Sequence, residues 1–137
     1  QALGGKVEKF AGGWAVGQTD YHFDDETLRM NAWHQDQVTQ LPADATVIAR
    51  NDFCANAALL YGDRALTLQP HPEFGDAFIE GLIDTRGKGV VPDRLREAAR
   101  ERVGGTLDRG RIAERIAAFF RQPRAASGAT ATTAETV

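Results

Sequence analysis

Arg64-Ala-Leu-Thr-Leu-Gln-Pro-His-Pro-Glu-Phe74 is the stretch around which the rest of the chain is organised. Ala65, Leu66 and Leu68 form an apolar run too short for a helix, and Tyr61-Gly62-Asp63 before it is turn-like, so the spacing predicts a buried strand. That strand runs into Pro70-His71-Pro72-Glu73. Pro72 pushes His71 out of helical geometry, and in extended chain the side chains at i and i+2 share a face. His71 and Glu73 therefore point the same way, close enough for a carboxylate to orient an imidazole, which is the base-and-orienter part of a nucleophilic site. A plainer reading stands beside it. A proline and an acidic residue suit the first turn of a helix, with His71 merely exposed.

The 137 residues are 42% hydrophobic and 26% charged, a balance that fits one soluble globular unit with a rather small core. A net charge of −3 with no basic stripe argues against a nucleic-acid partner. No apolar run approaches membrane-spanning length, so no membrane contact is expected. A single cysteine makes no internal disulfide, and a reducing, cytoplasmic setting is the default.

Working outward from the central stretch, Gln1-Ala-Leu-Gly-Gly5 reads as the last turn of a helix with a glycine cap, which suggests that the sequence begins inside an element. Lys6–Phe10 alternates as a strand, Gly12-Gly13 is a turn, and Trp14–Val16 is a short strand ended by Gly17. Tyr21–Glu26 reads as a solvated acidic loop or hairpin edge; His22, Asp24, Asp25 and Glu26 match no metal-ligand spacing, and no metal is expected. Leu28–Trp33 is a strand whose end carries His34, and ligands collect at strand ends in open α/β sheets. Thr46–Ala49 is a β-branched strand. Ala57–Tyr61 and Arg64–Gln69 flank Gly62-Asp63 as a two-residue antiparallel hairpin.

Downstream, Phe74, Phe78 and Leu82, with Ile79 and Ile83 beside them, form one helical apolar face. Pro92 starts a second helix, with Val91, Leu95, Ala98, Ala99 and Val103 inward and an interleaved charged face including Arg96 outward. Asp108 is a candidate N-cap for a third helix, striped by Ile112, Ile116, Phe119 and Phe120. These elements fill 1–122. Residues 123–137 are rich in Ala, Ser, Thr and Gly and read as a disordered tail.

Gln69-Pro-His-Pro-Glu-Phe74 resembles the element that closes the last strand of class I glutamine amidotransferases, the Cys-His-Glu triad family, and looks like the stand-alone type similar to the amidotransferase domain of GMP synthase. His34-Gln-Asp-Gln-Val38 with Leu41-Pro42 resembles that family's His-x-Asp-x-Val segment beside the active site. Asn51–Ala58 and Gln1–Gly5 are similar to two further segments in the right order. The resemblance spans about residues 1–80. Pro70 departs from it, standing where the family usually has an aromatic residue.

The resemblance implies an α/β fold, a flavodoxin-like open mixed sheet flanked by helices, of which 1–122 supplies the C-terminal half and extra C-terminal helices. It implies His71 and Glu73 as catalytic residues and places Trp33 and His34 beside the substrate glutamine. The nucleophilic cysteine would lie upstream of Gln1; Cys54 has no elbow glycine and reads as structural. Glutamine or a γ-glutamyl amide is the implied substrate, with an ammonia-accepting synthase as a possible partner and no cofactor. The alternative is a catalytically inactive, amidotransferase-like regulatory or interaction subunit. By the same resemblance, Val47, Ile48, Leu66, Leu68, Phe78, Leu82, Ile112 and Ile116 would belong to a core covered partly by upstream residues, leaving the 137 residues alone poorly folded and inactive.

Overall fold

A computed structural model describes residues 1–124; the expected tail lies, from 125 onward, outside the described residues. Seven strands come first: β1 (Lys6–Lys9), β2 (Ala15–Phe23), β3 (Thr27–His34), β4 (Asp36–Gln40), β5 (Thr46–Arg50), β6 (Ala58–Tyr61) and β7 (Ala65–Leu68). Three helices follow: α1 (Asp76–Asp84), α2 (Asp93–Glu101) and α3 (Arg109–Arg121). A five-stranded sheet has the order β3-β2-β5-β6-β7, and β1 pairs with β4 in a separate ribbon. The architecture is α/β, and every pairing between named strands among the described residues is antiparallel.

The β2–β3 hairpin is the spine of the sheet, and both of its faces are covered. Tyr21 and Phe23 on β2, with Leu28 and Met30 on β3, pack with Ala49, Cys54, Ala58 and Ile112 of α3. Val16 and its cross-strand partner Trp33 face the other way, toward Ile79, Ile83, Val91 and Ala99 of the α1–α2 layer. Two-sided burial explains why β3 alternates only weakly: a strand packed on both faces has no obligate wet side.

Several expectations are corrected. The strand at Trp14–Val16 does not end at Gly17; β2 continues to Phe23, so Tyr21–Glu26 forms the hairpin edge and not a loop. Gly17 has φ +81 and lies against α2, so the glycine is a close backbone approach within the strand. The acidic turn is not simply solvated. Arg111 and Arg115 of α3 bind Glu26 at 2.8 and 2.6 Å, and Arg115 also pairs with Asp25. The β6–β7 connection has three residues, since Tyr61 pairs with Ala65, and Gly62 turns the chain at φ +58. Gln1–Gly4 forms a turn closed by the Gly4 N–H on the Gln1 carbonyl at 2.9 Å.

In the helices, Ile79 and Ile83 are the buried pair of α1, while Phe78 is 54% exposed. The inward stripe is shifted because Phe74 lies before the helix, stacked on His71. Phe119 is buried and Phe120 is 68% exposed. Arg96, assigned to the wet side, is partly buried and donates to the Ile83 carbonyl at 3.3 Å. Asp108 is the N-cap residue of α3 as expected, but its side chain makes no capping bond; its carboxylate accepts instead from the Arg29 N–H at 2.7 Å. Of the residues expected in a partly covered core, Ile112 is buried, Phe78 is exposed, and Val47, Ile48, Leu66, Leu68, Leu82 and Ile116 are half-buried.

A Cβ on Gly17 would sit 2.7 Å from Ala99 Cβ and 3.1 Å from its Cα, in a conformation L-residues rarely adopt. Gly17→Ala is expected to destabilise the protein by about 1–3 kcal/mol through overpacking and backbone strain. Urea denaturation beside the parent measures this, and an unchanged midpoint would refute the close-approach account.

Candidate active site

β7 delivers the chain to Pro70, which is buried, and the next four residues form the site. The His71 N–H donates to the Asn31 carbonyl of β3 at 2.8 Å, an isolated bridge that joins the turn to the sheet edge. His71 itself is extended at this bridge, but Pro72 and Glu73 then turn the chain, closed by the Phe74 N–H on the His71 carbonyl at 3.1 Å. The expected pair meets across this turn and not along an extended strand: His71 Nδ1 lies 2.8 Å from Glu73 Oε1. A carboxylate only accepts, so Nδ1 carries the proton and Nε2 is the basic atom of the neutral ring. Phe74 stacks on the imidazole, with centroids 4.1 Å apart and planes within 2°.

Burial alone would raise the Glu73 carboxyl. The hydrogen bond from His71, that from its own backbone and the nearby Arg109 charge outweigh it and hold the group below its ordinary value. Glu73 is therefore ionised wherever a histidine is useful as a base. The pair can orient an imidazole, support it when protonated, and exchange a proton at Nε2.

Trp33 and His34 end β3 and line a cleft with Trp14, Gln35 and Gln69. The two indoles are 6.1 Å apart. His34 is 7% exposed, and its Nδ1 lies 3.2 Å from the Asp36 carbonyl. A carbonyl cannot donate, so Nδ1 holds the proton and Nε2, buried without a partner, is a bare acceptor. Burial pushes the His34 imidazole's pKa down, and the neighbouring His71 adds to this against the Asp36 carbonyl. A larger cleft lies beside Gln18, Asp20, Arg29 and Arg102, and neither cleft has His71 or Glu73 in its lining.

Cys54 is 2% exposed, and burial pushes its thiol up, both of which disfavour the reactive thiolate. Its N–H is held by the Asn51 side chain at 2.7 Å, inside a turn. His22 is exposed on β2, bonded to Thr27 at 2.9 Å. Among the described residues no cluster of metal-ligating side chains occurs. No helix among them is long and apolar enough to cross a membrane.

Two residues absent from the sequence reading touch the site. Asn31 is fully buried, and its Nδ2 donates to the Phe74 carbonyl at 2.9 Å. Arg109, the first residue of α3, donates to the carbonyls of Pro72 and Glu73 at 2.9 and 3.3 Å. An amide at an inward position of an otherwise apolar strand was the available signal for Asn31. Arg109 had none, because its contacts lie more than thirty residues away in sequence.

No protein-family model matches the chain. Over 51 residues it is 33% identical to gamma-glutamyl peptidase 3 of Arabidopsis thaliana, a segment covering 37% of this chain and 20% of that protein. Over 59 residues it is 34% identical to gamma-glutamyl peptidase 5 of the same plant, covering 43% and 24%. A glutamine amidotransferase from Thermotoga maritima superposes with a TM-score of 0.63 at 24% identity, over 88% of this chain and 56% of that one. A glutamine amido transferase from Methylobacillus flagellatus does so at 0.63 and 20%, over 93% and 60%. The chain thus spans little more than half of these solved structures, and its matched segments no more than a quarter of the plant proteins.

His34 is neutral in the fold, with its pKa lowered from 6.5. A depressed folded value means that the unfolded chain binds the proton first, so the stability contributed is present above 6.5 and is lost as pH falls from there through the folded value. Urea unfolding at about pH 7.5 and about pH 5.5 is expected to show a larger loss for the parent than for His34→Gln, which cannot titrate. Equal losses would contradict the buried, neutral assignment.

Proposed function

Because this chain has the fold of the class I glutamine amidotransferases, we propose that His71 and Glu73 are two members of a Cys-His-Glu triad. The triad hydrolyses the side-chain amide of glutamine or of a γ-glutamyl compound. The observation that carries the reading is the 2.8 Å contact between His71 Nδ1 and Glu73 on a partly open turn beside the Trp33–His34 cleft. The similarity to plant gamma-glutamyl peptidases supports the γ-glutamyl side of the substrate class.

In this reading the nucleophile is a cysteine in sequence preceding Gln1, since Cys54 is buried with a raised pKa. His71 Nε2 takes the thiol proton, and the thiolate attacks the amide carbon. The tetrahedral species collapses as His71 returns that proton to the departing ammonia or amine, leaving a thioester. Water then attacks with His71 again as base, which releases glutamate and the free thiol. Glu73 stays ionised throughout and stabilises the imidazolium. Trp33 and His34 border the substrate at the cleft they line. No step needs a cofactor. Released ammonia either leaves as product or passes to an accepting synthase.

The test uses the full protein with glutamine and a γ-glutamyl amide, measuring glutamate release. His71→Ala is expected to lower turnover about a hundred- to ten-thousand-fold. Glu73→Gln keeps the shape, loses the charge, and should be milder, acting on kcat more than on KM. Cys54→Ser should stay within about threefold of the parent, consistent with a surrounding-structure role. Near-normal turnover in the histidine variant would end the triad reading, and loss of covalent labelling in Cys54→Ser would reassign the nucleophile. A full protein that binds a partner but turns over neither substrate would instead fit an inactive regulatory subunit.

A further inference from the structure

The His71–Phe74 turn lies outside any regular strand or helix, yet each of its four carbonyls has a donor. The His71 carbonyl accepts from the Phe74 N–H at 3.1 Å. Those of Pro72 and Glu73 take the two arms of the Arg109 guanidinium, and that of Phe74 takes the Asn31 amide. Three of the four donors therefore come from two side chains that belong to distant elements. We propose that Asn31 and Arg109 are positioning residues that lock the His71–Glu73 pair into working register, Asn31 from β3 and Arg109 from α3. This rests on the reading of that pair as catalytic.

The alignment of the pair depends on the backbone at 71 and 73, because both side chains are short-range partners across one intervening proline. Pro70 and Pro72 lack N–H groups, so the turn cannot be stiffened by its own ladder. Arg109 supplies the missing constraint. Its rigid planar fork reaches consecutive carbonyls, which a flexible single ammonium would not reproduce. Its charge also favours the ionised form of Glu73. Gly75 leaves the fork room: a Cβ there would lie 3.3 Å from Arg109 Nη1. On the buried side, the Asn31 amide fixes Phe74, whose ring lies parallel to the imidazole. Gln18, the cross-strand partner of Asn31, extends the same polar seam by donating to Asp76 at the start of α1.

Arg109→Met, Arg109→Lys and Asn31→Ala in the full protein test this, with two readouts. The first is steady-state kinetics: kcat is expected to fall about ten- to a hundredfold for Arg109→Met with KM little changed, and Arg109→Lys to recover only part of it. The second is the downfield NMR resonance of the His71 Nδ1–H held by Glu73, expected to broaden or vanish in Arg109→Met while the urea midpoint moves little. Arg109 is exposed, so its variants keep the test alive if Asn31→Ala fails to fold. Parent-like kcat and resonance in Arg109→Met would overturn the proposal, as would full rescue by lysine. Should His71→Ala remain active, the catalytic reading fails; the resonance still decides whether the latch holds the pair. Should His71→Ala be inactive while Arg109→Met is normal in both readouts, only the latch fails.

Discussion

One backbone hydrogen bond ties the site to the fold: the N–H of His71 on the carbonyl of Asn31. The segment from Pro70 to Glu73 has few donors to offer, since two of its residues are prolines. Where its first available N–H is placed decides where the imidazole goes. Asn31 is a dependable anchor because β3 is paired with β2 along its whole length, from Ala15↔His34 to His22↔Thr27. Both strands are buried on two faces, so slippage by one residue would exchange the two apolar sets and expose neither usefully.

The helices act on the site through their ends more than through their lengths. α1 starts at Asp76, with Gly75 between it and Phe74, and Asp76 accepts from both Gln18 and the Gly104 N–H. α3 packs Ile112 against the sheet, and its N-terminal residues reach Arg29 and the Pro72–Glu73 carbonyls. Thus the C-terminal helices cover the sheet and also close the perimeter of the His71–Glu73 turn. The acidic β2–β3 turn, gripped by Arg111 and Arg115, fixes the rest of α3 on the same face. These partly exposed ion pairs set orientation more than they add stability.

Electrostatics separate three groups that look alike in a sequence. His71 is partly open and paired with a carboxylate, an arrangement that suits proton transfer. His34 is buried and neutral, with one nitrogen committed to a carbonyl, which suits an acceptor more than a base. Cys54 is a small apolar filler whose thiol is made less acidic by burial. The difference in each case is solvent access together with the partner at hydrogen-bond distance.

Local chemistry determined a good deal of this. Proline at 72 keeps His71 out of helical geometry and Glu73 is only two residues on, so the His71–Glu73 contact was legible from four residues, although the backbone between them turns and does not run extended. The strands β3, β5, β6 and β7 and the three helices were legible for similar reasons, since turns, caps and apolar spacing act within a few residues. What only the tertiary structure decided depends on neighbours distant in the chain. Gly17 looked like a strand end, yet it is the point where β2 lets α2 approach. Phe78 and Phe120 fit their helical stripes, but a stripe is wider than the groove it meets, and packing left both outside. Asn31 and Arg109 meet at one turn because a hairpin and a helix more than seventy residues apart converge there, and long-range convergence leaves no period in the sequence.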